Sequence, residues 1–259
     1  MTQKTPISLK LIMTAANAAV YAAIGALWTL FPLLVFGVRF WPQVFAPAVF
    51  SVLFGPWVGG VGAAIGIFIA DVLYGHHDAL LSLLVGVPSN FVGFYVVGWL
   101  SHHDFKNLTR RLLVVITVII QPVYAVALVY GFYLLLGASG LQSPSTYLGL
   151  VGVVVVVAVL GLLLVRNKWA DFEVAASIGL AVGNAIIGIG IVVYSAIFGL
   201  PVAVGLGTKP LGTAFMYVVA ASSYFTEIPF MVILTPPIAA ACRSAFPSLR
   251  IMSQQHAKT

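Results

Sequence analysis

Residues 37–60 read GVRFWPQVFAPAVFSVLFGPWVGG. The stretch holds a single charge, Arg39, three prolines, and a short apolar run over 42–54 that ends at Gly55-Pro56. At about 1.5 Å per residue the run reaches roughly 20 Å, against a hydrocarbon thickness of roughly 30 Å. It is therefore tilted, locally unwound or re-entrant. The segments on either side, 9–36 and 56–74, are long enough to cross a bilayer. A greasy chain thus places an arginine after its first crossing, and a half-span between two whole ones.

The same pattern continues along the chain. Apolar segments at 9–36, 42–54, 56–74, 79–100, 110–136, 147–165, 174–199 and 212–242 predict an all-α, polytopic transmembrane bundle of about eight membrane helices, the second short. Of the 259 residues, 61% are hydrophobic and 7% charged, far below the roughly 25% charged residues of soluble domains. No long polar segment separates the apolar ones, so residues 1–259 read as a single integral membrane domain. The first segment lacks the short core and small-residue cleavage site of a signal peptide and reads as a membrane helix. The one cysteine, Cys242, excludes an internal disulfide and any thiol cluster for zinc or iron–sulfur chemistry.

The formal charge of +6 is spread over helix ends rather than gathered on one polar face, which argues against nucleic acid as a partner. The basic residues encode orientation instead. With eight crossings and a cytoplasmic N-terminus, Lys4, Lys10, Lys106, Arg110, Arg111, Arg166, Lys168, Arg243, Arg250 and Lys258 lie inside and Arg39 and Lys209 outside. That division is ten to two, and the C-terminus is also cytoplasmic. If 42–54 does not cross, the better alternative places the N-terminus outside and divides the charges nine to three. Both arrangements put His76-His77-Asp78 outside and the loop 102–111 inside.

Within this frame a few residues carry chemistry. Ala15, Ala19 and Ala23 form one row at spacing four on the first helix, and Ala18, Ala22 and Ala26 a second. Small residues in a row let another helix approach closely, either within the chain or on a partner. Gly55, Gly59, Gly62 and Gly66 give the third segment a smooth face, and the segment ends at Asp71, about one turn inside the outer surface. An acid at that depth needs a cation, a hydrogen-bond donor or a ligand. His76, His77 and Asp78 have metal-ligand chemistry, but adjacent histidines rarely converge on one ion, and no metal is assigned to them. Asn90 follows Pro88 in mid-span, where the proline frees a backbone carbonyl and the amide needs partners. Asn184 sits comparably deep. Glu227, in the middle of the last long segment, is a functional candidate by position alone, and Pro236-Pro237 should kink or end that helix. The chain has no GxxxxGK[ST] phosphate loop, HExxH or GxSxG, so hydrolysis-driven transport would need an ATPase on another polypeptide.

Several of these features together resemble the substrate-binding S component of energy-coupling factor (ECF) transporters, the vitamin and cofactor-precursor uptake systems of prokaryotes. The resemblance covers about residues 8–100. It rests on the alanine-striped first helix, the loop with Arg39 and Trp41-Pro42, the short second helix, the run from Leu53-Phe-Gly-Pro-Trp-Val-Gly-Gly60 to Asp71, and Gly86-Val-Pro-Ser-Asn90. Such proteins usually have six membrane helices, against eight apolar segments here. The resemblance implies a non-enzymatic bundle in the cell membrane, without cofactor, whose pocket opens outward. It further implies coupling to a transmembrane scaffold subunit and two cytoplasmic ABC-type ATPases. Arg39, Phe40, Trp41, His76, His77 and Asp78 would then cover the ligand with Asn90 below them, and the two alanine rows would dock the scaffold.

The resulting expectation is a binding and translocating subunit for a small water-soluble nutrient, a vitamin or its precursor. Substrate contacts are assigned to Arg39, Trp41, Asp71, His76, His77, Asn90 and Glu227. Trp28, Phe40, Trp41 and Tyr74 suit stacking on a flat heterocycle, and Arg39 suits an anionic group. The rival from another class is a proton-coupled secondary transporter using Asp71 or Glu227.

Overall fold

The computed structural model describes residues 6–29, 34–35, 38–39, 41–75, 77–103, 107–141, 149, 151–157, 159, 169–200 and 212–246. The helices are α1 (Ile7–Thr29), α2 (Phe45–Phe54), α3 (Pro56–Leu73), α4 (Ala79–Leu81), α5 (Val87–Ser101), α6 (Asn107–Leu141), α7 (Ala170–Phe198) and α8 (Ala214–Ala245). A two-residue antiparallel pair, β1 (Leu34–Val35) with β2 (Val38–Arg39), follows α1, and a 3₁₀ turn, Pro42–Val44, leads into α2. The protein is a helical membrane bundle. Among the described residues 6 helices are long and apolar enough to cross a membrane, and Pro42–Phe54 is a shorter apolar helix. Most of the segment at 147–165 lies outside the described residues, of which 151–157 are helical.

Glycine and alanine govern how closely the helices pack. A Cβ on Gly62 would lie 2.3 Å from Asn17 Nδ2, one on Gly66 2.9 Å from Ala18 O, and one on Gly25 3.3 Å from Ala70 Cβ. The contacts climb α1 and α3 in the same order, so these two helices run parallel. Between them α2 runs the other way: Trp41 lies by Gly25 at one end, and Ser51 lies by Gly59 toward the other. The half-span therefore returns the chain, and the start of α1 lies toward the same face of the bundle as the start of α3. α5 is antiparallel to α3, because Gly86 lies by Asp71 and Gly98 by Pro56. The end of α8 reaches that face as well, with Arg243 Nη2 donating to Val52 O at 3.5 Å.

Asn17, fully buried, donates to Val58 O and Gly59 O at 3.0 and 3.2 Å and pins α1 to α3. It also decides which alanine row faces in. Ala18 and Ala22 are buried on the Asn17 side, whereas Ala15, Ala19 and Ala23 are exposed and Ala26 is half-buried. The second row is thus taken up by packing inside the chain, and only the first presents a free small-residue face.

Prolines shape the long helices in two ways. Ahead of Pro88 the backbone widens into a π turn, Ser82–Gly86, because the proline ring can neither donate to nor tolerate the carbonyl one turn back. Pro236-Pro237 does not end α8, which continues to Ala245. Within a bundle, neighbouring groups can satisfy the carbonyls that such prolines release. α6 changes direction at Gly137, where φ is +66°.

Candidate functional site

The polar residues of the first half meet around Tyr21. Its side chain is 1% exposed and lies edge-on to Phe94, with ring centroids 6.2 Å apart. Trp41, placed just before the 3₁₀ turn, donates its indole N–H to the Tyr21 hydroxyl at 3.0 Å. That hydroxyl donates to Asn90 Oδ1 at 2.9 Å, and Asn90 Nδ2 donates to Gly86 O at 2.9 Å. Ser89 Oγ also donates to Gly86 O, at 2.8 Å, so the carbonyl at the end of the π turn anchors both polar residues that follow Pro88. An indole, a phenol and an amide are thereby strung from α1 to α5 across the entrance to α2.

Two carboxylates flank this chain. Asp71 Oδ2 accepts from Ser82 Oγ at 2.7 Å, and a Cβ on Gly86 would lie 2.9 Å from that oxygen. Glycine at 86 thus lets the acid approach the π turn. Glu227, 7% exposed, accepts from Asn184 Nδ2 at 3.2 Å. Both carboxylates lie within electrostatic reach of Tyr21. The structure thus brings Trp41, Asp71, Asn90 and Glu227 together, with Asn184 holding the last.

The remaining expected residues divide. Arg39 is placed by its backbone, which pairs with Leu34, but its side chain lies outside the described residues, as do Phe40, His76 and the Trp28 side chain. His77 is exposed, with φ +56°, and its Nδ1 lies 2.9 Å from Val72 O, so it braces the turn after α3 instead of joining the cluster. Asp78 caps α4 by accepting from Leu80 N and Leu81 N, and Tyr194 donates to its other oxygen at 3.0 Å. Among the described residues no group of three His, Cys, Asp or Glu side chains is placed to hold a metal ion.

Sequence reasoning missed two members of the cluster, Tyr21 and Gln43. Gln43 is fully buried, and among the described residues neither Oε1 nor Nε2 has a hydrogen-bond partner. Its Nε2 lies 3.3 Å from where a Cβ on Gly25 would sit, and that same point is 3.5 Å from the Trp41 ring. A buried amide with an idle donor and an idle acceptor costs on the order of 1–3 kcal/mol for each unpaired group. It is the kind of group that a bound molecule would complete. No protein-family model, curated protein or solved structure matches the chain.

Proposed function

We propose that the chain is the substrate-binding and translocating membrane subunit for uptake of a small water-soluble nutrient, a vitamin or cofactor precursor, and that it works as an ECF-type S component. The observation that carries this reading is the unpartnered Gln43 amide beneath Trp41, beside the Trp41–Tyr21–Asn90 chain. Adjacent donor and acceptor atoms on Gln43 match a molecule with a donor–acceptor edge, such as a carboxamide or a lactam, while the Trp41 ring offers a flat apolar face. Trp41 is held by its bond to Tyr21, so ligand entry involves lifting the 38–42 segment from α1. Arg39 would meet an anionic group on the outward side.

In this reading the face carrying Lys10, Arg110, Arg111 and Arg243 is cytoplasmic, as the positive-inside rule prefers, and both termini lie there. The exposed row Ala15, Ala19, Ala23 docks a transmembrane scaffold that is driven by two cytoplasmic ABC-type ATPases. Replacing Ala19 and Ala23 together by Trp should cut uptake by the complete system at least about tenfold while leaving ligand affinity within about twofold, because the row touches no part of the cluster. Uptake at the wild-type rate in that double variant, or ligand accumulation by the single chain alone in liposomes, would remove the ECF reading.

One observation favours the rival proton-coupled carrier: Glu227 is buried within reach of Tyr21 and is held by a single amide. Uptake in liposomes with an imposed pH gradient separates the two. On the proposed reading Glu227→Gln keeps ATP-driven uptake by the complete system, and a pH gradient drives nothing. Gradient-driven uptake abolished by that substitution would establish the carrier instead. The molecule that copurifies with the detergent-solubilised protein, identified by mass spectrometry, names the substrate.

A further inference from the structure

An aromatic row runs along the outside of the bundle, on the seam between α3 and α5. On α5, Phe91, Tyr95 and Trp99 follow one another at spacing four and share one face, and His103, just past the helix end, continues the row. The His103 ring lies 4.6 Å from that of Trp99. Trp57, at the start of α3, sets its ring 6.1 Å from Phe91 and 5.1 Å from Tyr95, whose own rings are 5.7 Å apart. Trp57, Trp99 and His103 are exposed, and Phe91 and Tyr95 are half-buried. The rings stand outward because the two backbones leave no room between them: a Cβ on Gly60 would lie 2.9 Å from Phe91 O and 3.1 Å from Tyr95 Cβ. The start of α3 and the end of α5 are level, since a Cβ on Gly98 would lie 2.6 Å from Pro56 Cα.

We propose that this seam binds one anionic phospholipid, its acyl chains against Trp57, Phe91 and Tyr95 and its phosphate level with Trp99 and His103. From Phe91 to Trp99 the row climbs about 12 Å along the helix. The polar layer of a bilayer is roughly 5–8 Å deep on each side, so the row passes from hydrocarbon into headgroups. Its chemistry changes in the same order, from a phenyl ring through a phenol to an indole and an imidazole. Tyr and Trp join an apolar body to a polar tip and are enriched at that depth. The exposed face of α6 carries instead Val115, Ile119, Val123 and Val126, which suit acyl chains alone. Charge selects the headgroup. The polar end of the row runs directly into residues 102–111, where Lys106, Arg110 and Arg111 outnumber Asp104. Basic residues at a membrane surface attract anionic lipid. Arg110 is engaged by Asp171 at 2.7 Å, so Lys106 and Arg111 are the cations assigned to the phosphate. A partner helix fits the seam less well, because close helix association in a membrane uses small residues, and the exposed row of those lies on α1.

The experiment uses the purified full chain, free of nutrient and of partners, so its outcome is independent of the nutrient-uptake reading. The chain in detergent receives equal amounts of phosphatidylglycerol and phosphatidylcholine, and native mass spectrometry reads the lipid retained. About one lipid per chain should stay bound, with phosphatidylglycerol preferred by about fivefold or more. Lys106→Gln with Arg111→Gln should bring the two lipids to within about twofold of each other without loss of total bound lipid. Trp57→Leu with Tyr95→Leu keeps the seam apolar and should lower retention of either lipid by about fivefold or more. Thermal unfolding in lipid-free detergent checks that each variant folds. The charge variant alters no ring of the seam, so it decides the matter should the ring variant fail to fold. Equal retention of the two lipids by the wild type would overturn the proposal, as would a phosphatidylglycerol preference that survives the charge variant. Unchanged retention in the folded ring variant would overturn it too, and a loss of uptake by the complete system in that variant would then assign the seam to a protein partner.

Discussion

Gln43→Leu should abolish copurification of the ligand while leaving the protein as stable as the wild type or more so. The two side chains are close in size, and the substitution removes a buried donor and a buried acceptor that have no partner. Replacing such groups by apolar ones of similar shape is neutral or stabilising to a fold. If the amide serves the ligand, its loss leaves the ligand's own polar edge unpaired in a dry site, which weakens affinity about 100-fold, or about 2.7 kcal/mol. Trp41→Ala removes the stacking face and the donor to Tyr21, and should cost a similar factor. Isothermal titration with the identified ligand, alongside thermal unfolding, reads both quantities on the same sample. Gln43→Leu protein that binds as tightly as the wild type would remove this residue, and with it the main support for the pocket.

That prediction turns on a residue the sequence did not single out, and the reason is physical. Trp41, Asp71, Asn90 and Glu227 stand out because a charge, an amide after proline, or an indole before proline in an apolar run demands an explanation wherever the helix lies. Tyr21 is amphipathic and fits a lipid-facing or an interior position equally well. Gln43 falls at the polar entrance of a short helix, where a solvated amide is ordinary, and only its complete burial gives it meaning. The alanine rows show the same limit. Spacing four identifies both, but a period cannot tell which row faces inward. Asn17 and Tyr21, one turn apart on the side of Ala18 and Ala22, carried that information, since a polar residue buried in a membrane helix must face partners.

Element boundaries and direction were legible to different degrees. The runs at 56–74, 79–100, 110–136, 174–199 and 212–242 became helices close to their expected limits, whereas the expected 9–36 is helical only to Thr29 and is followed by the strand Leu34–Val35. The path of 42–54 was not readable, because charge counting nearly balances two topologies. Packing shows its direction: Gly62 by Asn17, Gly66 by Ala18 and Gly25 by Ala70 make α1 and α3 parallel, which needs a return segment between them. Pro236-Pro237 was misread as a possible end of the last helix, because a rule drawn from water, where released carbonyls invite solvent, is weaker inside a bundle.

The crossing of α5 and α7 should tolerate no large side chain. A Cβ on Gly179 would lie 2.4 Å from Val97 Cγ2 and 2.7 Å from Gly93 O, while one on Gly93 would lie 3.2 Å from Gly179 O and one on Gly183 3.1 Å from Ser89 O. Three glycines thus bring two backbones into direct contact, and the obstructing atoms include main chain, which cannot rotate away. Overpacking a well-packed interior costs about 1–3 kcal/mol even where side chains can yield, so Gly179→Leu should cost more and give no monodisperse folded protein in detergent. Gly152→Leu is the control, since a Cβ there meets nothing within 4 Å. Gly179→Ala is the informative intermediate. It should fold with a lower unfolding midpoint, and because α5 carries Asn90 while α7 carries Asn184, which holds Glu227, separating the two helices should also loosen the site between them. Ligand affinity should therefore fall by about tenfold in Gly179→Ala although the Cβ it adds meets Val97 and Gly93 rather than Gln43. Wild-type affinity and midpoint in that variant would show that the close crossing neither stabilises the bundle nor positions the site.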